Sequence, residues 1–167
     1  MPVMRMFNNL SKILDYICGG LCIVCVAGMV ILTGMQIICR IWFTAIVWSE
    51  ELTRYLMVWA TFLGAGCVYR RSGHINVTLI QALFPKSLQR LMQICCHLLC
   101  GAFFIAAVLY GIDYMGMQSR QLSAALRIPM SWVYLAIPVG CGLMAFHVVT
   151  LLLEMFFPEN KPEEDAA

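Results

Sequence analysis

The stretch Tyr16–Cys39, YICGGLCIVCVAGMVILTGMQIIC, carries no charged residue, and its reading decides the fold. A helix rises about 1.5 Å per residue and the hydrocarbon layer of a bilayer is about 30 Å thick, so roughly 20 apolar residues cross it. This stretch reaches that length. Working outward, three further runs do the same: Ser49 to Tyr69, with charges only in its first turn and a half, Leu91 to Ile112, and Ile128 to Leu153. Inside lipid every backbone polar group must be satisfied within the segment, so each run is expected to be helical. The expectation is an all-α integral membrane protein with four transmembrane helices, at about 14–39, 49–70, 90–112 and 128–153. They form a single domain over 1–155. Residues 156–167, with Glu159, Glu163, Glu164 and Asp165 among Pro158 and Pro162, form an acidic and disordered tail.

Composition points the same way. The chain is 62% hydrophobic and 12% charged, with a mean hydropathy of +0.83. The charged share is about half that of an ordinary soluble domain. A net charge of +2 is too small to argue for nucleic acid, and the lipid bilayer is the expected surrounding. The first run is too long for a secretory signal, and no small-residue cleavage site follows it. With four spans, Arg5, Lys12, Arg70, Arg71, Lys86, Arg90 and Lys161 share one side. Arg40, Arg54, Arg120 and Arg127 share the other. The positive excess places both termini in the cytoplasm.

The nine cysteines are Cys18, Cys22, Cys25, Cys39, Cys67, Cys95, Cys96, Cys100 and Cys141. A membrane thiol oxidase needs thiol pairs at the outer surface, yet Cys22 and Cys25 fall inside the first span and Cys39 stands alone. The cysteines read as small, soft packing residues. His97 and His147 lie at matching depth, about 9 Å from the same ends of the third and fourth spans. Such a pair could ligate a haem, as in a b-type cytochrome, or form an interhelical hydrogen bond, or meet a partner subunit. Gln36 is the most polar residue deep in the first span. No metal-ligand spacing or catalytic constellation is present, and neither a cofactor nor an enzymatic activity is expected.

The densest polar patch near the membrane opens the second helix: Trp48-Ser49-Glu50-Glu51-Leu52-Thr53-Arg54-Tyr55-Leu56-Met57-Val58-Trp59. Glu50 and Arg54 are four apart with the acid first, the favourable order for a helical ion pair. Ser49 is placed to cap the helix. Glu51 projects about 100° further round and needs another partner. Glu50, Glu51 and Arg54 are therefore candidates for a structural ion pair or a subunit contact. Small residues four apart (Ala102 and Ala106, Ala107 and Gly111, Ala136 and Gly140, Thr61 and Ala65) suit close helix packing. Pro138 is expected to kink the fourth span or leave a carbonyl free, and Pro129 to sit near its start. Beyond the opening turn of the second helix the spans hold no ionisable Asp, Glu, Lys or Arg near the midplane. A complete ion-coupled transporter usually has them, so the chain reads as an auxiliary subunit.

The run from Trp48 to Trp59 followed by Phe62-Leu63-Gly64-Ala65 resembles the small membrane subunit of tripartite ATP-independent periplasmic (TRAP) transporters. The resemblance continues through Arg71-Ser72-Gly73-His74-Ile75-Asn76-Val77, Leu83-Phe84-Pro85, Leu126-Arg127-Ile128-Pro129-Met130-Ser131-Trp132-Val133-Tyr134 and Ile137-Pro138-Val139-Gly140. It covers the chain from about Leu14 to Leu153. Where that family often has a basic residue and then Val-Asp after His-Ile, this chain has Asn76 and Thr78. The resemblance implies a multi-pass protein of the bacterial inner membrane. In the family that the chain resembles, a periplasmic solute-binding protein captures an organic acid, such as sialic acid or a dicarboxylate. A large multi-span permease subunit moves it inward by a sodium-driven elevator motion. The small four-helix subunit supports the large one as scaffold.

Overall fold

The computed structural model describes residues 2–42, 44, 46–72 and 86–156. Among them lie four long helices and one short one: α1 (Pro2–Trp42), α2 (Val47–Ser72), α3 (Lys86–Met117), α4 (Ser131–Tyr134) and α5 (Ala136–Phe156). The cytoplasmic connector motif 73–85 and the tail from 157 lie outside the described residues.

α1 is longer than its apolar run. Its 41 residues extend about 60 Å, twice the hydrocarbon thickness. Pro2 occupies the first turn, where a missing N–H costs nothing, and no second proline follows before the helix ends at Trp42. Lys12, Asp15 and Arg40 therefore ride on the same continuous helix as the apolar run.

Three stretches among the described residues are long and apolar enough to cross a membrane: Met6–Trp42, Leu88–Met117 and Ser131–Leu153. α2 has the length, at 26 residues, but Glu50, Glu51, Arg54, Arg70 and Arg71 crowd its two ends and dilute its hydropathy. Its uncharged middle, Tyr55–Tyr69, packs inside the bundle. α2 touches both α1 and α5, α3 packs on α5, and α1 meets α5 more sparingly, so α2 and α5 form the central pair. Phe104, Cys141, Met144 and Val148 make one buried cluster; Cys18, Leu63 and Cys67 make a second against Trp59 and Leu143.

Two glycines set the α2–α5 approach. A Cβ on Gly140 would lie 2.6 Å from Phe62 Cβ, and one on Gly66 would lie 2.7 Å from Leu143 Cδ2. Each glycine thus accepts a large side chain from the facing helix, the small-residue route to tight membrane packing. Gly140→Ala is expected to lower stability by about 1–3 kcal/mol through overpacking, read as a reduced melting temperature of the purified protein. Gly20→Ala, where no atom lies within 4 Å of the new Cβ, should leave the melting temperature unchanged or slightly raised. Equal melting temperatures for wild type and Gly140→Ala would show that the two helices are not held this closely.

The helix of the fourth span begins at Ser131 rather than Ile128, and it is interrupted beside Pro138. The helix breaks at Leu135, between α4 and α5. Pro138 sits in the first turn of α5, where its ring is tolerated; it cannot donate to the Tyr134 carbonyl, which marks the break. Pro129 is in the preceding connector, paired across an isolated bridge with Leu122.

Candidate functional site

Polar side chains gather at the two ends of the bundle. Where α2 begins, the helix starts at Val47, so Ser49 is inside it and does not cap it. Its hydroxyl instead donates to the Ile46 carbonyl at 2.8 Å. Arg54 donates to Glu50 one turn earlier, as their spacing suggests. This pair is solvent-facing, with side chains 73% and 56% exposed, and so adds little to stability.

Glu51 has a different partner, remote in sequence. Its carboxylate accepts the backbone N–H groups of Ala124 at 3.0 Å and of Ala125 and Leu126 at 2.9 Å each. Tyr55, one turn on, also donates to it. Three successive amides converging on one carboxylate form an internal anion nest. The connector that supplies them is a tight hairpin: Ser123 N–H donates to the Ile128 carbonyl at 2.9 Å and Met130 N–H to that of Gln121 at 2.9 Å. Closing it forces Arg127 into the left-handed region at φ 57°, a conformation disfavoured for side chains with a Cβ. The segment that opens at Leu126, noted in the sequence, thus begins within the turn that Glu51 grips.

Where α2 ends, three helices share a second cluster. Arg70 donates to the Ser11 hydroxyl and, at 3.2 Å, to Asn8 Oδ1. Ser11 Oγ lies 2.9 Å from His147 Nδ1. The Ser11 oxygen thus joins Arg70 of α2 to His147 of α5. Ser11 is 1% exposed and His147 0%. Arg71 donates twice to Asp15 Oδ2, at 3.2 and 3.3 Å, and Cys67 donates to the Asp15 carbonyl at 3.5 Å. His147 Nε2 and Asp15 Oδ1 are buried without a hydrogen-bond partner among the described residues.

His97 belongs to another helix pair: Tyr69 Oη lies 2.9 Å from its Nδ1, joining α2 to α3. The two histidines at matching depth therefore tie different helices, His97 to α2 and His147 to α1. Gln36 is half-buried and forms no side-chain hydrogen bond among the described residues. All nine cysteines are free thiols, and Cys22 donates to the Ala60 carbonyl at 3.5 Å. Sequence reasoning missed Ser11, Asp15, Tyr55 and Tyr69, and used Arg70 and Arg71 only as topology markers. The signal that could have found the first pair is their spacing: Ser11 and Asp15 are one helical turn apart, polar, at the edge of an apolar run.

Taken together, the fold and its two clusters define a four-helix membrane bundle whose polar chemistry ties helices and connectors to one another. Residues 29–157 match the family of tripartite ATP-independent periplasmic transporters, DctQ component, and the chain belongs to that family. It is 26% identical over 147 residues (87% of this chain) to the sialic acid TRAP transporter permease protein SiaT of Haemophilus influenzae strain 86-028NP. It is 32% identical over 108 residues (63% of this chain) to the isethionate TRAP transporter permease protein DctMQ of Oleidesulfovibrio alaskensis. To the C4-dicarboxylate TRAP transporter small permease protein DctQ of Rhodobacter capsulatus it is 34% identical over 125 residues, 72% of this chain. The chain spans 23%, 17% and 54% of those three proteins in turn. These relatives are transporter subunits, so the chain is a small TRAP permease component and no enzyme; a thiol oxidase and a b-type cytochrome are set aside.

Proposed function

We propose that this chain is the scaffold subunit of a sodium-coupled importer of an organic acid, set in the bacterial inner membrane with both termini cytoplasmic. A large elevator-type permease subunit is its membrane partner, and a periplasmic binding protein delivers the solute. Residues 1–155 act as one membrane domain with 156–167 as an acidic tail. Family membership carries the reading. The placement of charge supports it: the stretches 16–39, 55–69, 91–112 and 136–153 hold no Asp, Glu, Lys or Arg. A sodium or carboxylate site usually draws on such groups near the midplane, and the interruption at Leu135 lies within about one turn of the end of the Ser131–Leu153 span, so coupling and solute binding fall to the partner. Relatives named for sialic acid, isethionate and C4-dicarboxylates support an organic anion as cargo. Those longer, permease-named relatives also support the large subunit as partner. The exposed Glu50–Arg54 pair is open for a contact to that partner.

Reconstitution tests this. Liposomes holding the lone chain under an inward sodium gradient are expected to take up no sialic acid, isethionate or C4-dicarboxylate above empty vesicles. Adding the large subunit and binding protein should restore uptake of one of them. Robust uptake by the lone chain would overturn the scaffold reading.

A further inference from the structure

A groove of about 450 Å³ opens between α3 and α5, and its lining Phe146 stacks on Phe7 of α1. Gly101, Ala102 and Ala145 form its floor; Leu98, Ile105 and Val149, each about half exposed, form its walls. An apolar groove at this depth faces hydrocarbon, so its contents must be apolar. One end carries a charge. Arg90 lies two turns before His97, which also lines the groove, on the same stripe of α3. Its Nη2 donates at 2.6 Å to the carbonyl of Met155, in the turn of α5 after the groove-lining Leu152. The guanidinium therefore bridges the two helices where the groove meets the edge of the span. It is exposed and has no carboxylate partner among the described residues.

We propose that this groove holds one acyl chain of a bilayer phospholipid, with the lipid phosphate on Arg90. The two features are complementary to the two parts of one molecule. The floor of small residues admits a chain between the helices, and the guanidinium offers a planar fork that matches a phosphate. The bond to the Met155 carbonyl holds that fork at the mouth, where the last carbonyls of α5 lack helical donors. A helix of another subunit could cover the apolar floor, but it would bring no phosphate to the cation. The proposal rests on the membrane setting and is independent of the transport role.

Native mass spectrometry of the full-length purified chain tests it, by titration with phosphatidylglycerol and with diacylglycerol of the same chains. One phosphatidylglycerol is expected to bind more tightly than diacylglycerol, on the order of tenfold, the size of a charge-assisted contact. Arg90→Gln should abolish that preference while diacylglycerol binding stays as in wild type. Ala102→Leu fills the groove from an exposed position and should weaken both lipids at an unchanged melting temperature. Equal affinity for the two lipids in wild type would overturn the proposal. So would a preference that survives Arg90→Gln, or phosphatidylglycerol binding that survives Ala102→Leu. A cysteine at Val149 that cross-links to a co-purified subunit's helix, with no lipid retained, would show that a protein fills the groove instead.

Discussion

Glu51→Ala is expected to release the hairpin between α3 and α4. The carboxylate is the acceptor for three backbone amides, Ala124, Ala125 and Leu126, in a connector that also holds Arg127 at φ 57°. Without it, the three N–H groups must turn to water and the left-handed residue has less to hold it in place. Amide exchange at Ala124–Leu126 should rise on the order of tenfold, as for a locally opened segment, while the bundle keeps its slow amides. Glu51→Gln should give an intermediate rise, since its amide offers one acceptor oxygen in place of two. Arg54→Ala should leave the same amides unchanged, because Arg54 bonds to Glu50 and takes part in none of the bonds to the Glu51 carboxylate. Wild-type exchange in Glu51→Ala would mean that the hairpin holds its shape unaided, and Glu51 would return to being part of a helix start.

The second large effect is expected at Ser11. Its hydroxyl accepts from Arg70 and serves His147, and both Ser11 and His147 are fully buried. Ser11→Ala removes only the hydroxyl oxygen and with it both bonds, leaving a buried imidazole with no partner at Nδ1 and an arginine short of an acceptor. The cost is about 2–3 kcal/mol, the desolvation of groups left unmade rather than the bonds' own net value. Chemical or thermal unfolding of the purified protein measures it. Adding His147→Leu should recover part of the loss, because removing both partners of a buried bond costs less than removing one. A double variant that is less stable than Ser11→Ala by the full cost of His147→Leu would show that the two side chains act independently.

The contrast between Glu50 and Glu51 shows where sequence reading stops. Both acids stand in the same helical turn. The Glu50–Arg54 pair was legible because its members are four residues apart on one helix. That Glu51 needs another partner was legible too, since its side chain projects about 100° away from that pair. The partner was not legible: the amides lie 73 to 75 residues on and belong to backbone, which carries no residue-type signal. The histidines repeat the lesson. Their matching depth could be counted along each helix, but a count of rise gives no rotation of one helix against another. His97 turns to Tyr69 on α2, and His147 to Ser11 on α1, 136 residues away.

By itself, then, the sequence determined the solvent and the class. Long uncharged runs admit one environment, and in that environment the backbone admits helices. It also carried the pattern by which the family is recognised, spread over the helix starts and the fourth span. The tertiary structure decided what hydropathy averages away: that α1 runs on through Lys12 and Asp15, and which faces meet. Gly66 and Gly140 bring α2 against α5, and that crossing, with α1 and α3 laid on either side, chooses the partner of each polar side chain. Hydropathy acts residue by residue along the chain, whereas a hydrogen bond between helices depends on their mutual rotation and depth, which only the packed bundle supplies.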